Sequence, residues 1–267
     1  MKAMILAAGL GTRLRPLTDT RPKALVEING RTLLEITLTR LRTFGITEVI
    51  INVHHLAGQI IDYLHSKNNF NLRIEISRED DLLLDTGGGL KKASWFFLED
   101  PKNLDEPFLL HNVDVLSTID FTKMLQFHKD HQALATLAVQ SRPSSRQLLF
   151  DNNLHLRARA TSPAQTEVVC HSERSEESAS SSNSPLATRP SPPLLPLAFS
   201  GIHLISPRLL PLLTEVGPFS IIDSYLRLAS QGEKILAFRA DNYYWRDLGR
   251  PADLTQATLD LQRKAPL

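Results

Sequence analysis

The sequence lacks the features of disulfide-stabilised, membrane-spanning and nucleic-acid-coating proteins. Its 267 residues include one cysteine, Cys170, so the chain cannot form an internal disulfide. No apolar run approaches the roughly 20 residues that a membrane-spanning helix needs. Thirty Lys and Arg residues nearly balance 29 Asp and Glu residues, and the net charge of +1 provides no basic face for coating a nucleic acid. We therefore expect no membrane or nucleic-acid partner, and a reducing, cytoplasmic location. Since Met1 and Lys2 lead directly into an apolar segment, we also expect no signal peptide.

A glycine-rich loop followed by basic residues lies near the start of the chain. The apolar residues 3–8 predict a short buried strand. Gly9 and Gly11 then permit a tight turn in which backbone N–H groups approach an anion. Arg13 can bind a phosphate through two parallel hydrogen bonds, and Lys23 adds a second positive charge. The loop therefore predicts a phosphate-binding site.

Two common phosphate-binding loops do not fit this stretch. A Walker A loop needs four residues between its glycines and then Lys-Ser or Lys-Thr, and neither feature occurs here. The dinucleotide-binding pattern G-x-G-x-x-G would need glycine where the chain has Leu14. Pro16 and Pro22 indicate a rigid, irregular arm rather than a long helix.

Strand-like and helix-like patterns alternate along the chain, which predicts an α/β fold with a mostly parallel twisted sheet and helices on both faces. Thr32-Leu33-Leu34-Glu35 is a capping box that opens a helix, and Gly45 ends it. The remaining predicted strands are 48–53, 72–77, 107–112, 133–139, 196–206, 234–240 and 243–247, and the remaining helices lie near 56–66, 88–98 and 121–131, in 207–213 and 220–232, and from Pro251 onward. We expect one domain over residues 1–267.

A stretch rich in serine and proline interrupts this pattern. Residues 165–195 have few large apolar side chains and cannot bury enough surface to offset the entropy of ordering. We predict a disordered or loose insertion there.

The motifs of the chain resemble those of the sugar-1-phosphate nucleotidyltransferases. The family pattern G-x-G-T-R-x-x-P-x-T, followed by Pro-Lys, is filled at every fixed position by Gly9, Gly11, Thr12, Arg13, Pro16, Thr18, Pro22 and Lys23. The segment LDTGGGLKKA (84–93) resembles the family segment that lines the nucleobase pocket. The segments LLHNVDV (109–115), FSGIHLIS (199–206) and YWRDLGRPADL (244–254) resemble further family segments in the expected order. The resemblance covers nearly the whole chain except about 151–195. It is closest to short bacterial members that act on N-acetylmuramate-1-phosphate, heptose-1-phosphate or mannose-1-phosphate.

The resemblance implies a Rossmann-like nucleotidyltransferase fold and a reaction between a nucleoside triphosphate and a sugar-1-phosphate, with Mg²⁺ as cofactor. It assigns catalysis to Arg13 and Lys23, nucleotide binding to Ala7, Ala8, Gly9, Gly11, Thr12, Arg13, Asp85, Thr86 and Gly87, substrate binding to Asn112, Gly201 and Asp223, and metal binding to Asp114 and Asp247. Asn112 and Asp223 could equally be solvated or capping side chains. Arg157 and Arg159 are candidates for the basic residue that reaches the sugar phosphate in many relatives.

Three alternatives remain beside this interpretation. A glycosyltransferase of related fold usually has Asp-x-Asp at its metal, whereas this chain has asparagine at position 112. A non-catalytic, nucleotide-sensing or decayed relative should have lost Arg13, Lys23 or a metal aspartate. The pairs His54-His55 and His128-x-x-His131 suggest zinc, but no cysteine or acidic residue completes either with ligand spacing. We therefore expect a catalytic transferase. We also expect it to be a monomer or a small homo-oligomer.

Overall fold

The structure, a computed structural model, describes residues 1–99, 105–160 and 193–262. The strands in these ranges are β1 (Ala3–Leu6), β2 (Glu27–Ile28), β3 (Arg31–Thr32), β4 (Glu48–Val53), β5 (Arg73–Arg78), β6 (Phe108–Asn112), β7 (Val115–Ser117), β8 (Ala135–Gln140), β9 (Gln147–Phe150), β10 (Leu156–Arg159), β11 (Leu195–Ile205), β12 (Ile235–Arg239) and β13 (Trp245–Asp247). The α-helices are α1 (Leu33–Thr43), α2 (Ala57–Ser66), α3 (Asp85–Lys92), α4 (Ser94–Leu98), α5 (Phe121–Asp130), α6 (Ile221–Ser230) and α7 (Pro251–Gln262). Short 3₁₀ helices occupy Thr12–Leu14, Lys23–Leu25, Asn68–Asn71 and Pro207–Leu212.

Nine strands form one mixed sheet, which confirms the predicted α/β class. Its main path runs in the order β10-β9-β11-β6-β1-β4-β5, while β8 pairs with β11 and β12 pairs with β8. Strands β6, β1, β4 and β5 are parallel neighbours. Long strand β11 runs antiparallel to β6, β8 and β9. The parallel half therefore aligns the carboxyl ends of β1, β4, β5 and β6 along one edge, where ligands bind in such sheets.

Helices cover both faces of the sheet, as predicted. Alternation along β1 sends Ala3 and Ile5 into one apolar cluster and Met4 into the other. The first cluster receives buried side chains from α1, α2, α5 and α7. The second receives them from α3, α4 and α6. Strand β1 is therefore buried on both faces, which fixes the position of the loop that follows its carboxyl end.

The start of α1 confirms the predicted N-cap. The Thr32 hydroxyl accepts a hydrogen bond from the Glu35 backbone N–H at 3.0 Å, and α1 ends at Thr43 shortly before Gly45. Only half of the capping box forms, because the Glu35 carboxylate instead accepts a hydrogen bond from the Tyr63 hydroxyl at 2.7 Å.

The predicted helix over 88–98 was wrong in its start and its continuity. Helix α3 begins earlier, at Asp85, and the chain breaks at Ala93 before α4. The break lets Phe96 and Phe97 enter the core, where the Phe97 ring stacks on Phe108 with centroids 3.7 Å apart. Tertiary packing thus overrides a pattern that is continuous along the chain.

Most of the predicted insertion at 165–195 lies outside the described residues, and β11 begins at Leu195. Among the residues that the structure describes, no helix combines the length and apolar character needed to cross a bilayer.

Candidate active site

The loop after β1 is a compact turn that only glycine can complete. Gly11 has φ +66°, and a Cβ there would lie 2.9 Å from Thr18 Cγ2 and 3.2 Å from Lys23 Cβ. The Thr18 hydroxyl donates a hydrogen bond to the Gly11 carbonyl oxygen at 2.9 Å. The fixed Gly11, Thr18 and Lys23 of the motif therefore pack on one another. This packing folds the proline-containing arm back beneath the loop and brings Lys23 to the strand ends.

A cavity of about 520 Å³ opens at this edge of the sheet. The predicted site residues that line it are Ala7, Ala8, Gly9, Gly11, Thr12, Arg13, Lys23, Asp85, Thr86, Asn112 and Asp114. Leu6, Asn52, Leu83, Val113, Arg146 and Gly249 also line it and were not predicted. The strands β1, β4 and β6 deliver residues from distant parts of the sequence to one cleft.

The two predicted metal aspartates lie at the ends of paired strands. Asp114 stands between β6 and β7, and the Leu248 N–H donates to its carbonyl oxygen at 2.8 Å. Asp247 pairs with Val115 across β13 and β7. Burial, and then the nearby Asp114 carboxylate, raise the pKa of Asp247, while Lys23 and Arg13 oppose that rise. Because Asp114 raises the pKa of Asp247, the two carboxylates repel each other, and a nearby cation would reduce that repulsion.

Cationic side chains flank both aspartates. Lys23 is almost fully buried, and its Nζ donates a hydrogen bond to Asp114 Oδ2. Arg13 Nη2 lies 4.0 Å from Asp247 Oδ2. Gly249 leaves space for this guanidinium, because a Cβ at position 249 would lie 2.7 Å from Arg13 Nη2 and 3.0 Å from Asp247 Oδ2. No sequence signal beyond the Asp-Leu-Gly turn pointed to Gly249.

The three consecutive glycines of α3 serve close packing. The Gly87 N–H donates to the Phe219 carbonyl oxygen at 2.9 Å, and a Cβ at Gly87 would overlap the Phe219 ring. A Cβ at Gly88 would lie 2.8 Å from the Gly217 carbonyl oxygen. Gly87 is buried and does not line the cleft. Gly87 is the one predicted nucleotide-binding residue in the described ranges that does not line the cleft.

Asp85 and Thr86 form the cleft-facing start of α3. Asp85 adopts φ +59°, a conformation that Asp tolerates better than most residues, and its Oδ1 accepts from the Thr86 N–H at 2.6 Å. The Thr86 hydroxyl accepts from the Ile221 N–H at 3.0 Å, at the first residue of α6. Thr86 therefore joins the start of α3 to the start of α6.

The predicted substrate-binding residues separate into two groups. Gly201, with φ +73°, lies against Asn112, because a Cβ there would be 2.9 Å from Asn112 Nδ2. Asp223 instead forms an ion pair with Arg159 at 2.8 Å and does not line the cleft. Arg157 pairs with Asp151 at 2.6 Å. Neither candidate arginine, Arg157 or Arg159, lines the cleft.

Two other arginines lie at this end of the site and were missed. Arg146 lines the cleft, and no Asp or Glu in the described ranges forms an ion pair with it. Arg142 stacks its guanidinium 3.6 Å from the centroid of the Trp245 ring and donates to the Phe199 carbonyl oxygen at 2.7 Å. Burial lowers the pKa of Arg142, and Asp247 opposes that shift. The stretch R-P-S-S-R was a signal that the sequence offered, since it places two arginines in a turn between strands.

Three histidines of the two pairs have polar partners within the described residues, and one of them is His54, whose Nδ1 lies 2.5 Å from the Glu79 carbonyl oxygen. His128 is buried against the Thr136 hydroxyl at 2.9 Å, and His131 Nδ1 lies 2.8 Å from the Phe127 carbonyl oxygen. Within 1–99, 105–160 and 193–262, no group of three or more His, Cys, Asp or Glu side chains is arranged around a metal position.

A family model described as nucleotidyl transferase matches residues 2–148. The N-acetylmuramate alpha-1-phosphate uridylyltransferase of Neisseria meningitidis serogroup B is 44% identical over 126 residues, which cover 47% of this chain and 52% of that protein. The mannose-1-phosphate guanyltransferase of Aspergillus fumigatus is 28% identical over 260 residues, which cover 97% of this chain and 63% of that protein. The chain thus spans about half of the first relative and less than two thirds of the second.

Solved structures share the fold. A putative glucose-1-phosphate thymidylyltransferase from Bacillus anthracis, in complex with a sucrose, superimposes with a TM-score of 0.75 at 17% identity, covering 100% of this chain and 97% of that one. A UDP-glucose pyrophosphorylase complexed with UDP-glucose gives a TM-score of 0.73 at 17% identity, covering 98% of each chain. Because the family model matches more than half of its 267 residues, this chain belongs to the nucleotidyl transferase family.

Proposed function

We propose that the chain transfers a nucleotidyl group from a nucleoside triphosphate to a sugar-1-phosphate, which releases pyrophosphate and forms a nucleotide sugar. The observation that carries the proposal is the convergence of the Gly9–Arg13 turn, Lys23 and Asp114 in one cleft, with Asp247 beside them. The names of the two relatives above support a sugar-1-phosphate as acceptor.

The proposed reaction needs positioning and charge neutralisation rather than a protein nucleophile. An oxygen of the sugar phosphate attacks the α-phosphorus, and the bond from that phosphorus to the pyrophosphate oxygen breaks in line. Two polyanions must approach each other for this step. Arg13, exposed at the cleft rim, binds the departing β- and γ-phosphates through its planar fork. Lys23, buried at the strand ends, neutralises the charge that develops around the α-phosphate.

Asp114 and Asp247 fit a divalent cation such as Mg²⁺. The oxygen ligands are the kind that Mg²⁺ prefers, and two carboxylates suffice because the ion keeps waters and phosphate oxygens in its shell. Burial, and then the Asp114 carboxylate, raise the pKa of Asp247, and a cation held by both carboxylates would relieve their repulsion. When bound, the ion would polarise the α-phosphate.

Arg146 is the residue proposed to bind the sugar phosphate. It lines the same cleft as Asn112 and Asp114, and its guanidinium has no acidic partner in the described part of the chain. Arg157 and Arg159 are held by Asp151 and Asp223 instead. An unpaired guanidinium facing the cleft can bind a phosphate bidentately.

The experiment is a pyrophosphate-release assay with Mg²⁺ over a grid of nucleoside triphosphates and sugar-1-phosphates. UTP and GTP come first, since the two relatives are named for uridylyl and guanyl transfer. Asp114→Asn is the test variant and exposed Asp62→Asn is its matched control. Release that requires one triphosphate–sugar pair, persists in the control and disappears in Asp114→Asn supports the proposal. Nucleotide binding without release for any pair would favour a nucleotide-sensing protein and overturn it.

A further inference from the structure

Two buried side chains connect the phosphate-binding turn to the loop before α3. Asn52 lies in β4 and Glu79 directly follows β5, and these side chains are 3% and 1% exposed. Asn52 Oδ1 accepts a hydrogen bond from the Ala7 N–H at 2.8 Å. Asn52 Nδ2 donates to Glu79 Oε1 at 2.7 Å, and Glu79 Oε2 accepts from the Leu84 N–H at 2.9 Å.

The hydrogen bonds converge on Glu79, because Asn52 donates to it from one end and Leu84 from the other. Each Glu79 oxygen faces an N–H donor, so this position requires a double acceptor. That requirement fixes the orientation of the Asn52 amide, with its oxygen toward Ala7. Gly89 makes the arrangement possible, because a Cβ there would lie 2.8 Å from both Asn52 Nδ2 and Glu79 Oε1.

The two ends of this hydrogen-bond chain lie in two different segments that line the same cleft. Ala7 lines it at the start of the glycine turn. Leu84 lies between Leu83 and Asp85, which line it at the start of α3. Glu79 does not line the cleft, so it acts only through Asn52 and Leu84.

We propose that Asn52 and Glu79 are positioning residues that fix the distance between the triphosphate-binding turn and the nucleobase-binding loop. The inference rests on the proposed nucleotidyl transfer. A fixed distance lets one nucleotide contact the turn and the loop at once, so the pair sets the KM for the nucleoside triphosphate and its base selectivity. It leaves the KM for the sugar-1-phosphate unchanged.

Glu79→Gln is the first variant. Glutamine offers one acceptor and one donor, so one of the two N–H groups facing it loses its partner, whichever way its amide turns. We expect the KM for the preferred triphosphate to rise about ten- to hundredfold and the preference over the next triphosphate to fall. Glu75→Gln is the control, because it makes the same change in the strand that Glu79 follows, at a more exposed residue that pairs with Arg73.

The double variant Asn52→Asp with Glu79→Gln restores the pattern. Aspartate at position 52 accepts from Ala7 with one oxygen and from the new glutamine amide with the other, while the glutamine oxygen accepts from Leu84. We expect the double variant to recover the base selectivity that Glu79→Gln loses and only part of the affinity, since the carboxylate at position 52 lines the cleft proposed to bind the triphosphate. A role in stability alone would change thermal unfolding without this selective effect on the triphosphate.

The outcomes separate the inference from the proposed function. An unchanged triphosphate KM in folded Glu79→Gln overturns the inference, as does a double variant no better than the single one or unable to fold. If Glu79→Gln alone fails to fold, Glu79→Asp takes its place, because it keeps both acceptor oxygens but shortens their reach to Asn52 and Leu84. A rise in the triphosphate KM with an unchanged sugar-1-phosphate KM then supports the inference, and no rise overturns it. If the wild-type protein releases no pyrophosphate, the proposed function fails, and calorimetric nucleotide affinities of the same variants decide the inference.

Discussion

Lys23 and Asp114 are hydrogen-bonded across 91 residues of sequence, at the point where the arm after the glycine turn meets the end of β6. Lys23 is nearly buried, and its partner carboxylate is only 21% exposed. This hydrogen bond connects the basic arm after the glycine turn to the proposed metal ligand Asp114. In the proposed reaction the ammonium group would lie between this carboxylate and the α-phosphate.

Replacing Lys23 tests that arrangement. We expect Lys23→Ala to lower kcat about 10²- to 10³-fold, because it removes a positive charge fixed where negative charge develops in the transition state. Steady-state kinetics at saturating substrates measure the change, and thermal unfolding checks the fold. Exposed Lys92→Ala should keep full activity. A kcat in Lys23→Ala within about threefold of wild type would remove Lys23 from the proposed catalytic group.

Gly249 controls the position of Arg13. A Cβ at position 249 would displace the flexible Arg13 guanidinium, so we expect Gly249→Ala to reduce kcat/KM about tenfold or more while changing stability little. Gly58→Ala, at an exposed helix position with open space around it, is the control and should retain activity. Parallel kinetics and urea unfolding of both variants make the comparison. Equal activity in the two would show that the position of Arg13 does not matter.

Arg146 is expected to affect one substrate only. In Arg146→Ala the KM for the sugar-1-phosphate should rise about tenfold or more through loss of a charged hydrogen bond, while the KM for the triphosphate stays within about twofold. Arg157→Ala removes an arginine that pairs with Asp151 and should change neither KM. Initial rates with each substrate varied in turn give both values. A selective rise in Arg157→Ala instead would transfer the role to that residue.

Buried histidines predict how stability depends on pH. Burial lowers the pKa of His203 to about 3 and those of His111 and His128 to about 4. Above about pH 6.5 these side chains are neutral in the folded and unfolded states alike. As the pH falls from 6.5 toward 4, these histidines become protonated in the unfolded state but not in the folded state. The free energy of unfolding therefore decreases, by up to about 3 kcal/mol for each histidine.

His203 allows this dependence to be measured. Its Nδ1 lies 3.0 Å from the Tyr225 hydroxyl, and a glutamine can keep a polar contact there without titrating. Urea unfolding between pH 7 and 4 should show a shallower loss of stability in His203→Gln than in the wild type. Exposed His65→Gln should follow the wild-type curve. Identical curves for all three proteins would mean that His203 takes up a proton in the folded state.

Local sequence determined much of the fold. Apolar runs located β1 and β4, and residues 48–53 were predicted with the bounds that β4 has. The Thr32 cap located α1. These elements depend on backbone propensity and on neighbours within a few residues, so the sequence alone was sufficient. The sequence did not predict the short strands β7, β9 and β10, which form because a partner strand is present.

The glycine-rich motif likewise indicated a phosphate-binding turn with Arg13 and Lys23, since glycine conformation and side-chain charge are local properties. The chain by itself did not show which distant residues complete the cleft. Asn52, Arg146 and Gly249 reach it only because β4, the β8–β9 turn and the end of β13 are brought to one edge of the sheet. The charge of Arg159 and the flexibility of Gly87 made both residues candidates for ligand binding. In the fold, however, Arg159 pairs with Asp223 and Gly87 packs against Phe219. Local chemistry therefore determined the kind of site, and long-range packing decided its members, because only the folded sheet sets distances between residues far apart in the chain.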